Sequence, residues 1–327
     1  MTDRAIDVPP RVGAGPWLIA ACVVALAIAW PLLTTNRYLV TVATLIALNA
    51  IGASSLHLII RTGLVSLAHA AFMGIGAYTA VLTLMRLGWP FPLNLLAGIA
   101  APALVALIIG PILLRLSGKY FVLVTFLFGE IVRLTLTDWQ SLTGGANGIF
   151  SIPPPMAALA DPLPFYYFVL AVALLCVGLV ARLLVCEFGR AIDAMREAEH
   201  LAECSGIPVT RFKVIAFVIG CALVGVQGGL QAYLLRYIDP TAFTFVQSLN
   251  LVVMNVVGGM EHLGGALIGT VLMVALPELL SGYVELQQIL FGIILLAVMA
   301  AMPGGIVELY GRLRRSRAPV GARTGRQ

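Results

Sequence analysis

Apolar stretches about twenty residues long follow one another along most of this chain, and a polypeptide written that way has few places to fold. Phe165–Val185 reads FYYFVLAVALLCVGLVARLLV, with Arg182 its single charge. A bilayer core of about 30 Å takes about 20 such residues per helical span. Ten segments approach that form: 17–33, 39–60, 64–85, 92–114, 119–137, 165–185, 212–235, 244–258, 262–280 and 287–303. With 60% hydrophobic and 11% charged residues, the chain lacks the polar groups to face water, where about a quarter of residues are usually charged. The expectation is an all-α, polytopic integral membrane protein with about eight to ten transmembrane helices. Segments 244–258 and 262–280 are parted only by Gly259, Met260 and Glu261, and the third segment, after Gly63, is rich in Gly and Ala. Short, broken or re-entrant backbone is expected there, and it survives only inside protein or beside water.

Basic residues set the orientation. Placing residues 190–213 inside puts Arg61, the turn Arg115–Lys119 and the tail Arg312–Arg326 inside as well. The outside connections, 34–38, 86–91, 138–164, 236–243 and 281–286, then hold few basic residues. Both termini are expected in the cytoplasm, with 1–16 as an N-terminal tail, 17–305 as the membrane domain and 306–327 as a basic tail. The segment after residue 16 reads as a retained first helix rather than a cleaved signal. The net charge of +5 and the basic tail read as orientation signals and not as a nucleic-acid site.

Several chemistries find no support. Gly118-Lys119 is followed by Tyr120 and position 113 is Leu, so there is no phosphate-binding GxxxxGK[ST] loop and no ATPase in the chain. No GxSxG elbow occurs, and the four His residues form no metal motif. The five Cys residues lack CxxC spacing and read as small buried hydrophobes. No catalytic or metal-ligating residue and no bound cofactor is expected. The long outside loop 138–164 holds Thr143, Gly144, Gly145, Asn147 and Gly148 before a triple proline. It reads either as a plain turn or as a surface for an external partner or gate.

One charged island interrupts the apolar pattern. Glu187–Lys213 carries Glu187, Arg190, Asp193, Arg196, Glu197, Glu199, Glu203, Arg211 and Lys213. Residues 188–205 read as one helix, with Phe188, Ala191, Ile192, Met195, Ala198 and Ala202 on one face. Arg190, Asp193 and Glu197 point the other way, and Gly206 with Pro208 stops the helix. The pairs Asp193/Glu197 and Glu199/Glu203 are like-charged at i,i+4, which does not stabilise a helix for its own sake. The island therefore reads as a docking helix or as a helix lying on lipid headgroups.

The island resembles the cytoplasmic coupling loop of ABC-type importer permeases. GRAIDAMREAEHLAECSGIPVTRFKVIAF, residues 189–217, is similar to the branched-chain amino acid permease family. GLVSLAHAAFMGIGAY at 63–78, RLSGKYF at 115–121, Thr125 with FGEIVR at 128–133, TGGANG at 143–148 and Gly258-Gly259 agree with it. The resemblance covers about residues 45–305, and the M-type subunit fits best. It implies a membrane subunit that imports branched-chain or related hydrophobic amino acids. It implies ATP and Mg on two separate ABC ATPase subunits, a second homologous permease in a heterodimer, a periplasmic binding protein and a bacterial inner-membrane location. It also implies ATPase coupling at Arg190, Arg196, Glu197, Glu199, Ala202 and Gly206. Candidates for translocation or gating are Ser66, His69, Phe72, Gly76, Thr125, Glu130, the Thr143–Gly148 residues named above, Gly258 and Gly259.

The chain departs from the family at Leu64, Ala68, Glu261, His262 and Ala266, so its substrate stays open between branched-chain amino acids, other amino acids, and urea or short amides. His69, in a small-residue segment, reads either as a cavity-facing group or as a bond to a neighbouring helix carbonyl. Glu130 and Arg133 read as a structural i,i+3 pair, and Gly76 and Gly225 as close-packing positions. A stand-alone gradient-driven carrier is the alternative class, but Glu130 is the one clear mid-segment carboxylate available to it.

Overall fold

The computed structural model describes residues 24–31, 36–279 and 292. The two tails, 1–16 and 306–327, nearly all of segment 287–303 and most of segment 17–33 lie outside the described residues. The fold is all-α and polytopic. Among the described residues, six helices are long and apolar enough to cross a membrane. They are α1 (Arg37–Ile60), α2 (His69–Leu87), α3 (Phe91–Leu113), α4 (Lys119–Asp138), α5 (Pro162–Val185) and, after the short helices α6 (Glu187–Glu197) and α7 (Glu199–Cys204), α8 (Val209–Leu235). A bent pair follows, α9 (Phe245–Gly258) and α10 (Leu263–Leu279), with 118° between the two axes. That break falls at the turn where the sequence pattern places it.

The helix ends follow from local chemistry. Asn36 caps α1 by accepting the Tyr38 amide at 3.0 Å. Gly88, at φ +61, closes α2, with its amide on the Leu84 carbonyl. Prolines open α3 and α5, where a missing amide costs nothing.

The core is centred on α8, which packs on α2, α3 and α1. Lipid offers no hydrophobic drive for such contacts, so close packing of small residues supplies it. At Gly76 a Cβ would sit 2.5 Å from the Gly225 Cα and 2.8 Å from the Gly98 carbonyl oxygen, so α2, α3 and α8 touch backbone to backbone. Above this crossing Phe72 meets Phe217 edge-on at 5.6 Å and Phe128 at 5.4 Å.

The connections gather at two ends. One end carries Arg61, residues 115–118, α6–α7 and the α9–α10 turn. The other carries residues 88–90, the stretch 139–161 and residues 236–244. There, Ile149 and Ile238 form a two-way antiparallel bridge at 2.8 and 3.1 Å.

Candidate functional site

The charged island folds as two helices, which corrects the expected single helix over 188–205. The chain leaves helical geometry at Ala198 (φ −155, ψ 89) and re-enters it at Glu199. No Gly or Pro marks this position. The break follows from what the flanking side chains reach: Arg196 Nη2 bonds Glu261 at 2.6 Å, and Lys213 Nζ bonds Glu199 at 2.6 Å. Gly206, at φ +84, then ends the island in the left-handed conformation.

The island's charges also pair differently from the expectation. Asp193 is bound by Arg61 at the end of α1. The same Arg61 donates to the Glu261 carbonyl at 2.6 Å. The island is thus fastened to α1, to the α9–α10 turn and to the start of α8, at positions far apart in the chain. Its apolar side, Ile192, Met195 and Ala202, is buried, and Phe188 stacks on Phe212 at 5.3 Å. The Arg196 guanidinium bonded to Glu261 holds that carboxyl below its ordinary value.

What remains open to solvent is a defined outer face. Arg190 and Glu187 are exposed, their charged ends 3.6 Å apart, and Glu197 and Gly206 are exposed beside them. Leu201 is 69% exposed on a loop whose other large apolar side chains are largely covered. It was not among the expected coupling residues. Its exposure on a polar element is a signal visible only once the fold is known.

The second cluster lies inside the bundle. Between α1 and α2 the chain runs non-helical through residues 64–68, with Leu64, Ser66 and Ala68 buried. Side chains from other helices satisfy its backbone. Thr125 of α4 accepts the Leu67 amide at 3.2 Å, and Ser248 of α9 accepts the Ala70 amide at 2.9 Å. Ser66 accepts the Ala68 amide at 3.3 Å. The start of α2 is therefore capped across the fold, which is what irregular backbone inside a membrane requires. Of the expected translocation residues, Ser66, His69, Phe72 and Thr125 come together here. His69 is fully buried, and among the described residues neither ring nitrogen has a hydrogen-bond partner, so of its two readings the bond to a helix carbonyl is not made.

The other expected residues lie elsewhere. Gly76 sits at the helix crossing. Glu130 accepts from Arg133 Nε at 2.8 Å on the outward side of α4. Thr143 donates to the Leu136 and Trp139 carbonyls at 2.7 Å and accepts the Gly145 amide, which fixes the turn through Gly144, Asn147 and Gly148 at the far end. Gly258 meets the Gly265 backbone, and Gly259, at φ +110, makes the α9–α10 turn beside the ion pairs.

Residues that sequence reasoning missed join these clusters. Arg61 read only as an orientation signal, and Glu261 only as a departure from a family pattern. Asn255 donates to the Ala53 and Leu251 carbonyls, and its Oδ1 lies 3.2 Å from His57 Nδ1. Gln227 bonds Asn49 at 3.3 Å. Polar side chains in the middle of apolar segments were the available signal for these. Among the described residues no cluster of His, Cys, Asp and Glu gathers to hold a metal ion.

The family described as "Branched-chain amino acid transport system / permease component" matches residues 38–301. The high-affinity branched-chain amino acid transport system permease protein LivM of Salmonella typhimurium is 32% identical over 320 residues, covering 89% of this chain and 75% of the relative. LivM of Escherichia coli K12 matches to the same extent. The LivH permease of E. coli K12 is 25% identical over 296 residues, covering 82% of this chain and 92% of the relative. No solved structure matches. With its helices, its broken α2 start and most of its length inside the matched region, the chain belongs to the branched-chain amino acid transport system permease family.

Proposed function

We propose that this chain is the membrane-spanning permease subunit of an ATP-driven ABC importer for branched-chain amino acids. In this reading it sits in a bacterial inner membrane with both termini cytoplasmic. Two ABC ATPase subunits, carrying ATP and Mg, grip α6–α7 through Arg190, Glu197, Leu201 and the Gly206 stop. A second, homologous permease completes a heterodimer, and a periplasmic binding protein delivers substrate to the end that carries Thr143–Gly148. The chain itself performs no chemistry.

The observation that carries the reading is the fastening of the island. An interfacial helix needs only lipid beneath it. This one is tied by ion pairs to three other elements while its outer face stays open. Two of those ties end next to irregular backbone. Arg61 directly precedes the non-helical stretch that leads to Ser66 and His69, and Glu261 lies in the turn made by Gly259. A displacement of α6–α7 is therefore delivered to the two places in the bundle where backbone can move without breaking a helix. Arg196 and Glu199, expected to touch the ATPase, serve in this reading as anchors that carry the motion inward.

The test is purification of the tagged chain from its natural membrane, followed by uptake assays. Two ABC ATPases and a second permease in the complex, with ATP-dependent uptake of leucine, isoleucine or valine, are the expected outcome. Uptake of urea or short amides instead would change the substrate. A chain free of ATPase, under conditions that preserve a control importer, would overturn the reading in favour of a stand-alone carrier. Gly206→Val addresses the coupling directly. A Cβ at Gly206 meets nothing within 4 Å, so the variant carries only backbone strain, about 1–3 kcal/mol. Insertion is expected to survive while ATPase association and transport fall, and normal transport would count against coupling at this loop.

A further inference from the structure

We propose that the outward stripe of α4 is the seam against the second permease chain. This rests on the importer reading above and names the surface that reading leaves open. Only Phe121 and Thr125 of α4 are buried. Among the described residues the helix leans on α2, more lightly on α3 and α9, where Phe126 meets Phe245 edge-on at 5.1 Å, and on the turns at 145–147 and 240–243, and its remaining surface is open.

One part of that open surface, the Glu130–Arg133 pair, is ill suited to lipid. The spans α3 and α5 are also sparsely covered, but they are the two most apolar of the six, and α3 carries no charge at all. Their exposed side chains, such as Leu104, Ile108, Leu174 and Leu175, suit acyl chains. In contrast, α4 is the least covered span and holds Glu130 and Arg133 in its interior, with side chains 29% and 26% exposed. A charged residue at bilayer depth costs about 2.5–3.5 kcal/mol even on the mildest scale, so such pairs face protein or water.

The exposed residues of α4 are also spaced for a helix neighbour. Tyr120, Leu123, Leu127, Ile131 and Leu134 are all more than 45% exposed and recur at three- and four-residue steps. That spacing makes the narrow stripe by which one helix seats along another. Glu130 lies three residues from Leu127 and four from Leu134, so it flanks the same stripe. A lipid-facing helix can show such a stripe, as α3 does at Leu104, Ile108 and Ile112, but it does not need the ion pair beside it.

The occupant is a different chain of the same family. LivM and LivH permeases both match this chain along most of its length, so a companion with the same arrangement of spans presents a corresponding helix across the seam.

Photocrosslinking in the intact complex tests this. The photoreactive residue p-benzoyl-phenylalanine is placed singly at Leu127 or Leu134 on α4, and at Leu104 or Leu175 as controls on α3 and α5. The tagged chain is expressed with its full set of transport subunits, irradiated in the membrane and analysed by mass spectrometry. Leu127 and Leu134 are expected to give an adduct with a second, different permease, and Leu104 and Leu175 none. If the second permease co-purifies but crosslinks only from Leu104 or Leu175, or from none of the four, the seam is overturned while the importer reading stands. An adduct between two copies of this chain overturns the choice of occupant. If no second permease co-purifies, the importer reading itself fails.

Discussion

The two ends of the bundle are held by different forces. At the island end, side chains do the fastening: Arg61 to Asp193, Arg196 to Glu261, and Lys213 to Glu199. At the far end, backbone does much of it. Ile149 and Ile238 exchange amide bonds and the Ile152 amide binds the Arg236 carbonyl at 3.1 Å, while the Arg86 and Arg236 side chains add bonds to the carbonyls of Ser141, Leu142 and Ala160. Backbone bonds of this kind fix one geometry and are insensitive to side-chain identity, except where Gly is required. Ion pairs at a partly exposed end are individually modest and can exchange partners. One end is therefore built to hold its shape and the other to be pushed.

The largest expected effect comes from breaking the backbone-held end. Gly148 has φ +75, and a Cβ there would collide with the Ile238 carbonyl oxygen that accepts from Ile149. Gly148→Val therefore combines about 1–3 kcal/mol of backbone strain with loss of the bridge. We expect reduced yield of folded protein and rapid protease cleavage within 139–161. Wild-type yield and protease resistance would mean that this end is looser than its bonds imply.

Breaking the side-chain-held end should do something different. Arg61→Asp sets two carboxylates together and removes a charge-assisted bond worth about 1.5–3 kcal/mol, with the lower figure apt because Asp193 is 42% exposed. The protein is expected to fold and insert but to transport several-fold less. Adding Asp193→Arg restores the pair with its polarity reversed, so transport is expected to recover in part. No recovery in the double variant would show that Arg61 acts through its second bond, to the Glu261 carbonyl, and not through Asp193.

The same contrast explains what the sequence could reveal. The spans were legible because the bilayer demands a length and a composition, and α1 to α5 and α8 follow the apolar segments closely. The turn at Gly259 was legible because Gly-Gly between apolar runs has few other uses. The island was legible as a charged element but not in its true shape. Its periodicity fits one straight helix, and the break at Ala198 is set by Glu261 and Lys213, both outside α6–α7. Arg61 illustrates the remaining gap: a single basic residue at a helix end satisfies the orientation rule whether or not it holds an ion pair. The buried polar contacts Ser248–Ala70, Asn255–Ala53 and Gln227–Asn49 depend on which helices become neighbours, and local spacing carries no record of that.

The smallest expected effect sharpens the comparison by pH. Glu261 is held below its ordinary value, first by its bond from Arg196 and then by that residue's charge. A carboxylate whose value is lowered in the folded protein contributes stability above its unfolded value, about 4.3 for Glu, and loses it as pH falls through the lowered folded value. Between pH 6 and 8 the Arg196–Glu261 tie should therefore be constant. Below about pH 4 it should weaken, and α6–α7 should exchange its amide hydrogens faster while 139–161 does not. Because both side chains are substantially exposed, the change should be a few-fold and should largely disappear in Glu261→Gln, which cannot titrate. Equal acceleration at the two ends would point to general acid loosening and remove the distinction between them. Acceleration at the island alone, abolished by Glu261→Gln, would place the softest tie of this end at the turn made by Gly259, next to the backbone that the importer reading requires to move.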